Sequence, residues 1–130
     1  MVKIKAHSAK TCIICIAFLL FAFISPASHA AHFSGEYLYK VCALDKKGNE
    51  IVKGGKIACQ SYISGVIDYH NMLRSMDLTS DMNFCIPQDT SLNELHLKVL
   101  MYLTERNKLH RKFVAAPAVT MALYSFYPCK

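Results

Sequence analysis

From Cys59 to Leu73 the apolar positions recur every three or four residues: Cys59, Tyr62, Ile63, Val66, Ile67, His70 and Leu73 form one stripe. That spacing is the repeat of an α-helix with one buried face, and it predicts a helix over about 56–76. Three further segments carry the same signal. Tyr37, Leu38, Val41 and Leu44 share a face over 34–44, with Ser34 as N-cap and Glu36 in the first turn, where a carboxylate suits the helix dipole. Ser91-Leu92-Asn93-Glu94 reads as a capping box, each side chain satisfying a free amide. It opens a helix to about Arg106, with Leu92, Leu95, Val99, Tyr102 and Leu103 inward and Asn107 as a left-handed stop. A fourth helix is predicted over about 113–127, burying Val119, Ala122, Leu123 and Phe126. Pro117 fits it only in the first turn, where a missing amide does no harm, and Pro128 ends it.

The intervening segments are polar or broken. Asp45 to Glu50 is a turn and Gly54-Gly55 a break, and the only β element the pattern admits is a short hairpin through Ile51 and Val52. Residues 77–90 form a loop containing Phe84-Cys85-Ile86-Pro87, in which the proline restricts Ile86 to extended backbone. Gly65 lies mid-helix on the border of the stripe and costs about 1 kcal/mol against alanine, so close approach by another helix backbone is expected there. Four amphipathic helices need only helix-on-helix burial, and the fold class is all-α, a small four-helix bundle.

The first thirty residues change the picture. Lys3, Lys5 and Lys10 precede an unbroken apolar run of thirteen residues, Cys12 to Ile24, and small residues stand at Ser28 and Ala30. This is the layout of a secretory signal peptide, with cleavage expected after Ala30. As a helix the run rises only ~20 Å, short of the ~30 Å hydrocarbon core of a bilayer. The mature chain is then a single domain, residues 31–130. Cys12 and Cys15 fall in the leader and receive no function. With no Asn-x-Ser/Thr site in the sequence, a bacterial periplasm is the expected compartment.

The leader also accounts for half of the charge. Of the formal +6, three charges are its lysines, which leaves +3 for the mature chain. No nucleic-acid footprint is read from so small an excess. One cluster, Arg106, Lys108, Arg111 and Lys112, reads as a solvated helix end, or more sharply as a surface for an acidic partner.

Four cysteines remain after cleavage, Cys42, Cys59, Cys85 and Cys129, an even set in a small exported domain. The pairing Cys42–Cys59 with Cys85–Cys129 is favoured, joining helix one to helix two and the Pro87 loop to the C-terminus; Cys42–Cys129 with Cys59–Cys85 stays open. His32, His70, His96 and His110 show no His-x-x-x-His pair and the mature cysteines no Cys-x-x-Cys spacing, so neither a metal nor another cofactor is assigned. Cys59 and His70 on the buried stripe read as structural, His70 as a hydrogen-bonded core histidine. Asp68 is expected to cap a neighbouring helix or to pair with a basic residue. No catalytic constellation is assigned, and the expectation is a protein that is not an enzyme.

The segments Cys59 to Asp68 (CQSYISGVID), Phe84-Cys85-Ile86-Pro87, Val99 to Leu103 and Ala122 to Cys129 (ALYSFYPC) together resemble the Rap/Tai-type immunity proteins. Those proteins protect bacteria with type VI secretion from their own peptidoglycan amidase toxins. The resemblance spans about residues 35–129. Tyr127 between Phe126 and Pro128 departs from the family ending, and Pro117 interrupts a helix usually free of proline. The resemblance implies a periplasmic, disulfide-bonded helical protein that binds and blocks an amidase without catalysis, in a family that includes homodimers. It implies no cofactor and no membrane attachment after signal cleavage. Tyr62, Gly65, Asp68 and Pro87 read as structural motif residues. The loop anchored at Cys85 is the expected contact surface, with Asp77, Asp81, Asn83 and Gln88 as its polar residues. The alternative is a small periplasmic stress chaperone, whose mature histidines would titrate near their usual pKa of about 6.5.

Overall fold

Ser34 starts the first helix as the pattern predicts, its hydroxyl accepting from the Tyr37 amide at 3.2 Å. The computed structural model describes residues 33–79 and 81–129. The leader, its cleavage after Ala30, Cys12, Cys15 and His32 lie outside the described residues. Among the described residues there are five helices: α1 (Gly35–Cys42), α2 (Gly55–Ser75), α3 (Leu92–Glu105), α4 (Asn107–His110) and α5 (Ala115–Phe126). Among the described residues β pairing is limited to three isolated antiparallel bridges, Ser34–Val114, Leu44–Glu50 and Phe84–Pro128. The domain is all-α and disulfide-stapled, with one short helix more than predicted. None of its described helices is long and apolar enough to cross a membrane.

α1 stops at Cys42 and not at Leu44. Ala43 turns extended, and Leu44 leaves the helix to bridge Glu50. The Asp45 carboxylate closes the intervening turn by accepting the Lys47 and Asn49 amides, each at 2.8 Å. No hairpin runs through Ile51 and Val52; both are exposed in a turn. Its place is taken by Glu50, whose carboxylate accepts the Gly54 amide at 2.9 Å and the Lys56 amide at 3.0 Å. A charge six residues upstream therefore caps α2 and complements its dipole. A Cβ on Gly55 would stand 2.5 Å from the Val41 carbonyl oxygen. Glycine is what allows the end of α1 and the start of α2 to approach so closely.

The α2 stripe is as predicted: Cys59, Ile63 and His70 are buried, and Tyr62, Val66, Ile67 and Leu73 are partly so. Ser91 caps α3, accepting from the Glu94 amide at 3.1 Å. The reciprocal half of the capping box is spent elsewhere. Glu94 Oε1 instead meets Lys98 at 3.0 Å and accepts the Tyr127 hydroxyl at 3.0 Å, which ties the start of α3 to the end of α5. Leu92 and Tyr37, expected inward, are exposed. Asn107 is not a left-handed stop: it opens α4, and among the described non-glycine residues the left-handed one is Asp77, at φ 56° after α2. α5 begins at Ala115, two residues late, because Val114 bridges Ser34 and the Ala115 amide donates to the Phe33 carbonyl at 2.7 Å. Pro117 is its third residue, within the first turn as required.

Leu38, Ile63, Phe84, Val99, Leu103 and Leu123 form the centre of the core, all at 2 % exposure or less. Burying each is worth roughly 1.5–3 kcal/mol. The pairing Cys42–Cys59 and Cys85–Cys129 is the one present. Cys42 and Cys59 are fully buried, whereas Cys85 is exposed and Cys129 partly so.

Candidate functional site

An apolar groove of about 650 Å³ lies between α2, α5 and the loop after α2. Tyr62, Gly65, Tyr69 and Leu73 line its α2 wall, Pro117 its α5 wall, and Met82 the loop side. The expected neighbour is missing: a Cβ built on Gly65 meets no atom within 4 Å, so the glycine opens onto the groove and not onto a packed helix. Tyr62 backs the groove by stacking on Phe33 at 4.5 Å, and its burial pushes its pKa up.

His70 closes one end by stacking on Phe84 at 3.7 Å. Asn83 is the side chain that faces its ring nitrogens, short of good hydrogen-bond geometry. Both ring nitrogens are buried with no partner, and so is Asn83 Oδ1 beside it. Burial lowers the His70 pKa and the Arg74 charge adds to this, with the Asn83 side chain opposing. At the far end of the domain His110 packs 5.5 Å from the Tyr102 ring, and burial and Arg106 lower its pKa as well.

The loop residues divide. Asp77 and Asp81 are exposed and do not line the groove, to which their loop contributes Thr79 and Met82. Asn83 belongs to the frame: it is partly buried, and its carbonyl accepts the Cys129 amide at 3.2 Å. Gln88 and Pro87 are exposed beyond the Cys85 anchor, in a turn closed by the Thr90 amide on the Pro87 carbonyl at 3.1 Å. Asp68 is exposed and caps none of the first three helices, whose N-termini are served by Ser34, Glu50 and Ser91. The basic cluster surrounds α4 as exposed side chains. Arg111 reaches Glu36 at 3.5 Å, and Glu36 also pairs with Lys40 at 3.2 Å. Lys40 first, and Arg111 with it, hold the Glu36 pKa down.

One cluster escaped local spacing altogether. The Cys42 and Cys59 sulfurs and a ring nitrogen of His96 lie within 4.8 Å of one another, all three residues buried. His96 Nε2 is 2.7 Å from the Cys42 carbonyl. Its position was available in the sequence, because Leu92, His96, Val99 and Leu103 follow helical spacing, yet the histidine was left off that face.

Among the described residues the domain is small, helical and held by two disulfides, with an apolar groove between α2, α5 and the loop after α2. The sequence model of the Rap1a immunity proteins matches residues 34–129, and the chain belongs to that family. The curated proteins contain no match to it, and neither do the solved structures.

Proposed function

We propose that the protein is a periplasmic, non-catalytic immunity protein that binds and blocks a cell-wall-degrading toxin of the peptidoglycan amidase class. The family match over residues 34–129 carries this reading, since it embraces the whole helical domain and both disulfides. Oxidised Cys42–Cys59 and Cys85–Cys129 agree with an exported protein. The non-catalytic part is supported by the state of the obvious nucleophiles and bases. All four mature cysteines are paired, and His70, His96 and His110 are buried against rings or a carbonyl. The groove lined by Gly65, next to the loop that carries Asp77 and Asp81, is the surface we assign to the toxin. An apolar centre with a charged rim is the usual anatomy of a specific protein contact.

The test is protection. Reading frames adjacent to this gene are directed one at a time to the periplasm of a host lacking the protein, with and without its co-expression. One frame lyses the host, co-expression restores growth, and the two proteins co-purify. Rescue is weakened by Tyr69→Asp or by Asp77→Lys with Asp81→Lys. If no frame is toxic, or if growth is not restored by co-expression, the reading is wrong.

A further inference from the structure

The Cys42–Cys59 disulfide has a histidine at its side that the fold does not otherwise use up. A carbonyl can only accept, so the 2.7 Å contact with Cys42 fixes the proton of the neutral imidazole on His96 Nε2. The lone pair is then on Nδ1, which is buried without any hydrogen-bond partner in a residue of 0 % exposure. Histidines that bind metals are commonly held in this way, donating the other ring N–H to a backbone carbonyl. The two sulfurs and one ring nitrogen of His96 lie within 4.8 Å of one another, a set of three soft or borderline ligands. A tetrahedral zinc ion, with Zn–S near 2.3 Å and Zn–N near 2.0–2.1 Å, needs the two sulfurs, freed from their bond, to move to roughly 3.8 Å apart while His96 draws in by roughly 1 Å.

We propose that reduction of Cys42–Cys59 opens a Cys2His site for a zinc-like divalent cation, made of Cys42, Cys59 and His96. The reductant is a dithiol. Its two thiols give two electrons and two protons to the cystine, which becomes two thiols, and the dithiol closes to its own disulfide. On binding the cation the two cysteine thiols release their protons to solvent, and His96 contributes its lone pair without losing one. The oxidised protein has no thiolate to offer at this position, so the site exists in one redox state only. It replaces one crosslink between α1 and α2 with another and brings in α3. Local spacing could not reveal it, because its ligands come from three helices.

The experiment uses the mature protein, fully reduced by a dithiol under anaerobic conditions, freed of reductant, and titrated with Co²⁺ and then Zn²⁺. One Co²⁺ binds per chain with thiolate-to-cobalt charge-transfer bands, Zn²⁺ displaces it, and Zn²⁺ raises the melting temperature of the reduced protein. His96→Gln weakens binding by roughly tenfold or more, while Cys85→Ser with Cys129→Ser leaves it intact. Equal affinity in His96→Gln, loss of the bands in the Cys85/Cys129 variant, or a reduced chain that stays unfolded with Zn²⁺ present would each overturn the proposal.

Discussion

Replacing Gly65 by alanine separates what the isolated domain requires from what its partner requires. A new Cβ at this position meets no atom within 4 Å. The substitution therefore removes the conformational freedom of a mid-helix glycine without adding a clash, and stabilises α2 by about 0.5–1 kcal/mol. For a domain of this size 1 kcal/mol corresponds to a rise in Tm of about 4–8 °C. The same methyl enters the floor of the groove. If a toxin side chain or backbone is seated there, overpacking costs about 1–3 kcal/mol, or about 5- to 150-fold in Kd. Urea melts with both disulfides intact, paired with calorimetric titration of the protective partner, read the two effects from one variant. Destabilisation by Gly65→Ala would refute the open-groove geometry. Extra stability with unchanged affinity would refute the groove as the docking surface while leaving the fold intact.

Removing Cys85–Cys129 by paired serine substitutions should cost about 4 kcal/mol, and removing Cys42–Cys59 by paired alanines about 3 kcal/mol before any loss of packing, from loop separations of 44 and 17 residues. Graded reduction followed by alkylation should label Cys85 and Cys129 first, since the other pair is fully buried; simultaneous labelling would contradict that burial. Folding holds the His70 and His110 pKa values below their unfolded ones. The unfolded chain thus binds more protons below about pH 6.5, and stability present above that pH falls on acidification by up to ~1.4 kcal/mol per pH unit for each histidine. Urea melts from pH 7.5 to 5 should show this slope, reduced in His110→Asn; a flat profile would refute it. Glu36, Glu50 and Glu94, with lowered pKa values, hold their contribution above the usual carboxylate range and lose it only at lower pH. Ser91→Ala should cost about 1 kcal/mol through loss of the α3 cap, measured by the same melts.

Local signals in the sequence were reliable where local physics decides. The α2 stripe, the Ser34 and Ser91 caps and the place of Pro117 all follow from residues within a turn of one another. The disulfide pairing also followed, because each cysteine stands at an element end that the helix order brings near its partner. Errors arose where a distant residue won. Glu94 abandoned its capping box for Lys98 and Tyr127, α1 lost its last turn to the Leu44–Glu50 bridge, and Val114 delayed α5 by pairing with Ser34. Leu92 and Tyr37 carried the right period and the wrong exposure, since a stripe does not say how far a neighbouring helix extends over it. Asp77 and Asp81 could be marked as exposed loop residues from composition alone. The groove beside their loop could not, because its walls come from α2 and α5, and Gly65, which a helical pattern counts as a defect, lines it.

The two disulfides enclose separate stretches of chain, 42–59 and 85–129, and neither loop contains an end of the other. The molecule is covalently two closed rings joined by a single strand through residues 60–84. A protease cut at the exposed Asp77–Leu78 or Asp81–Met82 positions would leave no bond between the pieces, and they would part on a non-reducing gel. In solution only the shared core and contacts such as His96 on the Cys42 carbonyl would keep the nicked halves together. Crosslinking therefore protects each half from unravelling, but it does not protect the union of the two.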